Sequence, residues 1–157
     1  MAVSTADAKA TYPLPVYNFR VEIGTDAVAF SEVSGLSIQY EVTTFKESPV
    51  AGDTPGPRTI HMPSQASPVN VTLRKGVART TSVATLYSWI NSVALNQIEK
   101  RDILVRLCDE AGKPVISWKV INAFPTKLDG PAFDAKSTDV AVESMELRAD
   151  AIAITES

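Results

Sequence analysis

Val69-Asn70-Val71-Thr72-Leu73-Arg74-Lys75-Gly76, then Thr80 to Asn96, then Asp102 to Leu107: this run reads as strand, helix, strand, and it decides the fold. In the first part Val69, Val71 and Leu73 alternate with Asn70, Thr72 and Arg74, the two-residue period of a strand with one wet face. In the second, Val83, Leu86, Tyr87, Ile90, Val93 and Ala94 fall at i, i+3, i+4, i+7, i+10 and i+11, one stripe of a helix. Thr85, Ser88, Asn91 and Ser92 lie opposite, and Thr80, Thr81 or Ser82 offers a capping oxygen. A helix this short is marginal alone, so it is expected to lie on a sheet. It is the one strong helical signal in a β-patterned chain.

Outward from this run, alternation recurs. Tyr17, Phe19, Val21 and Ile23 oppose Asn18, Arg20 and Glu22. Leu36, Ile38, Tyr40 and Val42 oppose Ser37, Gln39, Glu41 and Thr43, in a strand expected over 36–45. A strand over 115–124 is closed by Pro125, 127–137 is expected to turn, and a last strand runs from 140 to 154 with Glu146 and Arg148 on its polar side. Residues 1–11 are unpatterned and expected to form a mobile tail. Residues 12–157 form a single domain, in which the proline- and glycine-rich stretch 46–58 is expected as an exposed loop. The expected class is a β-rich α+β domain: an antiparallel sandwich or barrel with one helix at about 81–95.

Composition bounds the function. Of the 157 residues, 45% are apolar and 21% charged, which suits a globular chain. A formal net charge of −3 argues against a partner held by phosphate neutralisation. There is no basic-then-apolar leader and no apolar run long enough to span a membrane, so synthesis in the cytoplasm without a signal peptide is expected.

Few groups suit catalysis. The one histidine, His61, stands beside Pro63, and no second histidine or cysteine lies at metal-binding spacing. Cys108 reads as a strand thiol, and Asp109-Glu110 as turn carboxylates. No phosphate loop or nucleophile elbow occurs. Neither an enzyme nor a cofactor is expected. Arg74, Lys75 and Arg79 form a small basic cluster, either solvated or in contact with an acidic protein. Trp89 is either half-buried on the sheet or an anchor between subunits. Long strands with complete polar faces need neighbours and solvent, and a sheet closed through subunits into a ring supplies both.

Five segments in series carry a resemblance: Tyr12-Pro13-Leu14-Pro15-Val16-Tyr17-Asn18-Phe19, Phe30-Ser31-Glu32-Val33-Ser34-Gly35-Leu36, Val71-Thr72-Leu73-Arg74-Lys75-Gly76, Leu86-Tyr87-Ser88-Trp89-Ile90-Asn91-Ser92 and Asn122-Ala123-Phe124-Pro125. Together they resemble the inner tube proteins of contractile injection systems. These form the T4-like phage tail tube family, and the tubes of the Photorhabdus virulence cassette and antifeeding prophage are the nearest to this chain. The resemblance implies hexameric rings whose strands close into an intersubunit barrel, stacked into a hollow conduit that is driven into a target envelope and carries protein cargo. The implied partners are other copies of the chain, a sheath protein, and baseplate and tube-terminator proteins; nucleic acid is no specific ligand outside a phage. Alternatives within this class are a phage or type VI secretion tube, or a baseplate-proximal initiator.

Combining the resemblance with the alternation gives candidate surfaces. Asn18, Arg20, Glu22, Gln39, Glu41, Asn70, Thr72, Arg74, Glu146 and Arg148 are expected to line the lumen, with acids and bases mixed. Ser48, Asp53 and Arg58 are expected in a ring-stacking loop, and Lys75, Arg79, Trp89 and Asn91 to face the sheath. The expected particle is extracellular after release, or cell-associated.

Overall fold

The computed structural model describes residues 2–53, 55–95 and 97–156. Met1, Thr54 and Asn96, which fall in the expected tail, loop and helix, lie outside the described residues. The chain is β-rich with short helices. Helix α1 is Thr5–Thr11, and the strands are β1 Phe19–Ile23, β2 Asp26–Val28, β3 Glu32–Ser34, β4 Tyr40–Glu47, β5 Arg58–Ala66, β6 Val69–Gly76, β7 Arg101–Cys108, β8 Pro114–Asp129, β9 Val142–Ala149 and β10 Ala151–Glu156. Between β6 and β7 a π-helical segment Ser82–Tyr87 continues into α2, Ser88–Asn91.

All strand pairings are antiparallel, and two sheets share the long strand β8. Its first half pairs with β7 and β10, extending through β1 to β2. Its second half pairs with β9, then β6, then β3. The passage between sheets is made at Asn122, whose φ of 54° bends the strand. Its backbone N–H donates to Asp102 at 2.9 Å and its side-chain amide to Asp150 at 2.9 Å, in the gap between β9 and β10. These groups bend both long strands at one level, which is how one strand serves two sheets. Pro125 does not close β8. In the second half β9 is the only neighbour among the described strands, and an edge strand tolerates a residue without an N–H.

Between the sheets lies one core. β1 and β7 contribute Val21, Ile23, Ile103 and Val105; β8 adds Val120 and Ala123. Facing them are Val69, Val71 and Leu73 of β6 with Met145, Leu147 and Ala149 of β9. Leu86 and Trp89 cover the same core from the helix, and the Trp89 indole N–H donates to the Glu99 carbonyl at 2.8 Å.

Further expectations are revised, beginning with the strands expected over 36–45 and 140–154, which are β4 over Tyr40–Glu47 and two strands, β9 and β10, either side of Asp150. The helix is shorter than residues 81–95, ending at Asn91. Its phase also differs: the Ser88 N–H bonds to Val83 O five residues back, so the segment is wound wider than an α-helix. That turns Ser82, Leu86 and Trp89 inward and leaves Val83 and Tyr87 exposed. The expected 46–58 loop is trimmed by three strand residues, with β4 running to Glu47 and β5 starting at Arg58, so that 48–57 is the tip of a hairpin. β5 also runs unbroken through Pro63, which a two-stranded ribbon allows because both of its strands are edges. Finally, α1 forms in the expected tail, capped by the Ser4 side chain on Asp7 N–H and tied by Lys9 to Glu110 at 3.1 Å.

Candidate functional site

Two surfaces of the fold are unfinished within one chain: a polar sheet face and a bare hairpin.

The polar face belongs to the β8–β9–β6–β3 sheet. Along β6, Val69, Val71, Leu73 and Lys75 point into the core, which turns Asn70, Thr72 and Arg74 out. Along β9, Glu146 and Arg148 point the same way. Register fixes their neighbours: Asn70 opposes Arg148, and Thr72 opposes Glu146. Asn70, Thr72, Thr126, Glu146 and Arg148 line one shallow cleft. Both lateral borders of this sheet are open among the described strands, at β3 on one side and at Phe124–Asp129 of β8 on the other. Gly35 ends β3 with φ of 86°, and a Cβ there would stand 2.1 Å from the Asn70 carbonyl oxygen. Only glycine lets the chain leave β3 so close to β6.

After Gly35 the chain enters β4 and β5. They pair with each other and with no other described strand. Every β4 residue except Glu47 is exposed, as is every β5 residue except Ile60. Register puts Phe45 opposite Ile60 and Thr43 opposite Met62, an apolar patch on one face. Val42 is 65% exposed on the other. An isolated two-stranded hairpin is marginal in water. His61 sits on this ribbon with its ring 3.5 Å from the Thr44 hydroxyl, a surface position.

The ten expected lumen residues do not share one surface. Asn70, Thr72, Arg74, Glu146 and Arg148 come together on the polar face. Arg20 and Glu22 lie on the other sheet, where Glu22 pairs with Arg106 at 3.3 Å. Asn18 donates to the Asp109 carbonyl at 2.7 Å and belongs to the β7–β8 turn. Gln39 and Glu41 stand at the start of the hairpin.

Of the sheath-facing set, Arg79 and Asn91 are exposed, but Lys75 and Trp89 are not. Lys75 is 4% exposed; its ammonium donates to Gly76 O at 2.8 Å, Ser82 Oγ at 3.1 Å and Glu143 Oε1 at 3.3 Å, satisfying all three donors. Trp89 is 1% exposed, because the wide helical turn rotates it into the core, with Arg101 stacked 5.2 Å from its ring. Of the stacking set, Ser48 and Asp53 are in the hairpin tip, whereas Arg58 is a strand residue whose guanidinium Nε donates to Glu47 at 2.8 Å.

What the sequence reasoning missed is the Lys75–Glu143–Ser82 cluster. Its signal was phase: Lys75 continues the inward row of Val71 and Leu73, and Glu143 that of Met145 and Leu147.

Residues 15–153 match the model of the T4-like virus tail tube protein gp19 family. No curated protein sequence matches. Among solved structures, a chain of the PVC sheath-tube complex of an extracellular contractile injection system, in the extended state, is 40% identical. It has a TM-score of 0.86 over 99% of this chain and 100% of that one. A chain of the anti-feeding prophage tube terminating cap is 39% identical, with a TM-score of 0.81 over 100% of this chain and 95% of that one. A chain of the PVC sheath/tube terminator is 42% identical, with a TM-score of 0.79 over 92% and 97%.

Proposed function

The chain belongs to the T4-like virus tail tube family, and from that premise we propose how this tube subunit of a contractile injection system builds its conduit. The family is structural, and the chain is not an enzyme.

In our reading the polar β8–β9–β6–β3 face lines the bore, and the two open borders of that sheet join head to tail between copies. A head-to-tail contact closes into a ring when its rotation allows, and closure removes the exposed edges. The ring has six copies and stacks on further rings. The hairpin makes the second contact: it leaves the sheet at its Gly35 and Val69 end, so that Ser48 and Asp53 at its tip reach a neighbouring ring while Phe45, Ile60 and Met62 lie against another copy. The helix is on the core side of the bore-lining sheet, hence outward. Arg79 and Asn91, with Val83 and Tyr87, then face the sheath, and Lys75 and Trp89 support that surface from beneath. The conduit works in an extracellular particle of the kind its relative comes from, with a baseplate below, a terminator above and protein cargo in the lumen.

The observation that carries this reading is the hairpin. Eight-residue β4 and nine-residue β5 bury almost nothing within the chain, so their apolar side chains require another copy. Negative-stain microscopy of the purified protein tests it: rings or tubes with an open bore are expected, and a uniformly monomeric population would refute it. A second reading, a capping subunit, is favoured by the likeness to chains from the terminating cap and terminator structures. A bulk tube protein polymerises, whereas a capping subunit stops at one ring.

A further inference from the structure

The registers of β8, β9, β6 and β3 align into three rungs across the polar face. The first holds Asp129, Ser144, Arg74 and Glu32. The second holds Lys127, Glu146, Thr72 and Ser34. The third holds Phe124, Arg148 and Asn70. The charges are ordered. The first rung has two acids and one base, the second one of each, and the third a base alone. Lys100 adds a cation at that third end, 5.7 Å from the Phe124 ring centre. Arg74 is 3.6 Å from Glu32 and Lys127 is 3.3 Å from Asp129, so these four neutralise one another in pairs. Glu146 and Arg148 have no such pair among the described residues.

We propose that this face is a charge-balanced wall, neutralised in pairs at its Glu32–Asp129 end and carrying the acid Glu146 one rung from the base Arg148, which passes protein cargo without regard to the cargo's net charge. The inference rests on reading this face as the bore. Successive rungs are two residues apart, so Glu146 and Arg148 are about 7 Å apart along β9. That is within the screening length of about 8 Å at physiological salt, so the two charges offset each other beyond their immediate surroundings. A small folded domain is about 30 Å across, about the length of a 20-residue helix. It therefore meets Glu146, Arg148 and the paired charges together, and attraction to one offsets repulsion from the next. A bore of single sign would instead concentrate cargo of opposite charge by tenfold or more, roughly the range that focused fields produce. Stacked rings repeat this pattern along the axis, so the balance holds at every level.

The test uses complete particles loaded with one small folded cargo in strongly acidic, neutral and strongly basic versions that share a loading signal. Cargo per particle is measured after purification. With the native tube chain, loading of the three versions is expected to agree within about threefold. Arg148→Glu is expected to favour basic cargo by about tenfold, and the milder Glu146→Gln to shift loading towards acidic cargo. A native tube that already prefers one sign by about tenfold, with both variants still shifting that preference, would overturn the charge balance while keeping this face in the bore. If neither variant shifts loading in particles of normal appearance, the face is not the bore, and both readings fall.

Discussion

β6 and β4 are eight-residue antiparallel strands of the same chain, and they end differently. β6 buries every second side chain: Val69, Val71, Leu73 and Lys75. β4 carries Tyr40, Val42 and Phe45 and leaves them all exposed. Alternation in β6 is answered by a second sheet and a helix, whereas nothing but β5 among the described residues answers β4. A strand is specified by its own residues, but what covers it is specified elsewhere. In the proposed ring, the cover for β4 is another copy of the protein.

Paired substitutions press this contrast, starting with lysine. Lys75→Ala leaves the Glu143 carboxylate buried without its partner, and a loss of about 3–5 kcal/mol in chemical unfolding is expected. Replacing both members, Lys75→Met with Glu143→Leu, should recover most of it, because a well-packed apolar pair removes two desolvated charges. The matched change in β4, Lys46→Ala, is expected to stay within about 0.5 kcal/mol. An equal effect at both sites would break the comparison.

Truncation of apolar groups comes next. Leu73→Ala should cost about 2–5 kcal/mol in the unfolding of the unassembled chain. Phe45→Ala should leave that midpoint nearly unchanged and instead abolish tubes in micrographs. If Phe45→Ala destabilised the single chain as Leu73→Ala does, the hairpin would be packed within its own subunit. At the junction between the two regions, Gly35→Ala forces a Cβ against the Asn70 carbonyl at positive φ, with an expected cost of about 1–3 kcal/mol.

The smallest effect is at α1. The Glu110 backbone N–H and the Lys9 ammonium hold the Glu110 carboxyl below its ordinary pKa. A depressed acid supports its contact above the unfolded-state pKa, and that support is lost as pH falls through the folded value. Acidification should therefore release α1 locally, seen as faster amide exchange over residues 5–11, with no measurable shift of the unfolding midpoint.

The strands that pack within the chain were legible because two-residue alternation is direct evidence of a half-buried sheet. Val71 and Leu73, and Met145 and Leu147, lie where that pattern puts them. The helix was legible as a helix but not in phase, since a helix wound wider than 3.6 residues per turn moves Trp89 in and Tyr87 out without changing a residue. The hairpin was half seen: Pro63 and the Pro-Gly tip conceal strands that have no core to alternate against. Polar residues on four expected strands all looked wet, and only register could separate Asn70, Thr72, Glu146 and Arg148 from Arg20 and Glu22. Lys75 and Glu143 were missed because charge is ordinarily read as surface.

The central claim is that the polar face of the β8–β9–β6–β3 sheet becomes the inner wall when copies assemble. A side-chain-resolution cryo-EM reconstruction of the assembled protein tests it most directly. The prediction is a bore lined by Asn70, Thr72, Glu146 and Arg148, with the β3 and β8 borders paired between adjacent copies. A bore lined by Arg20 and Glu22, or assemblies in which those borders stay unpaired, would contradict it.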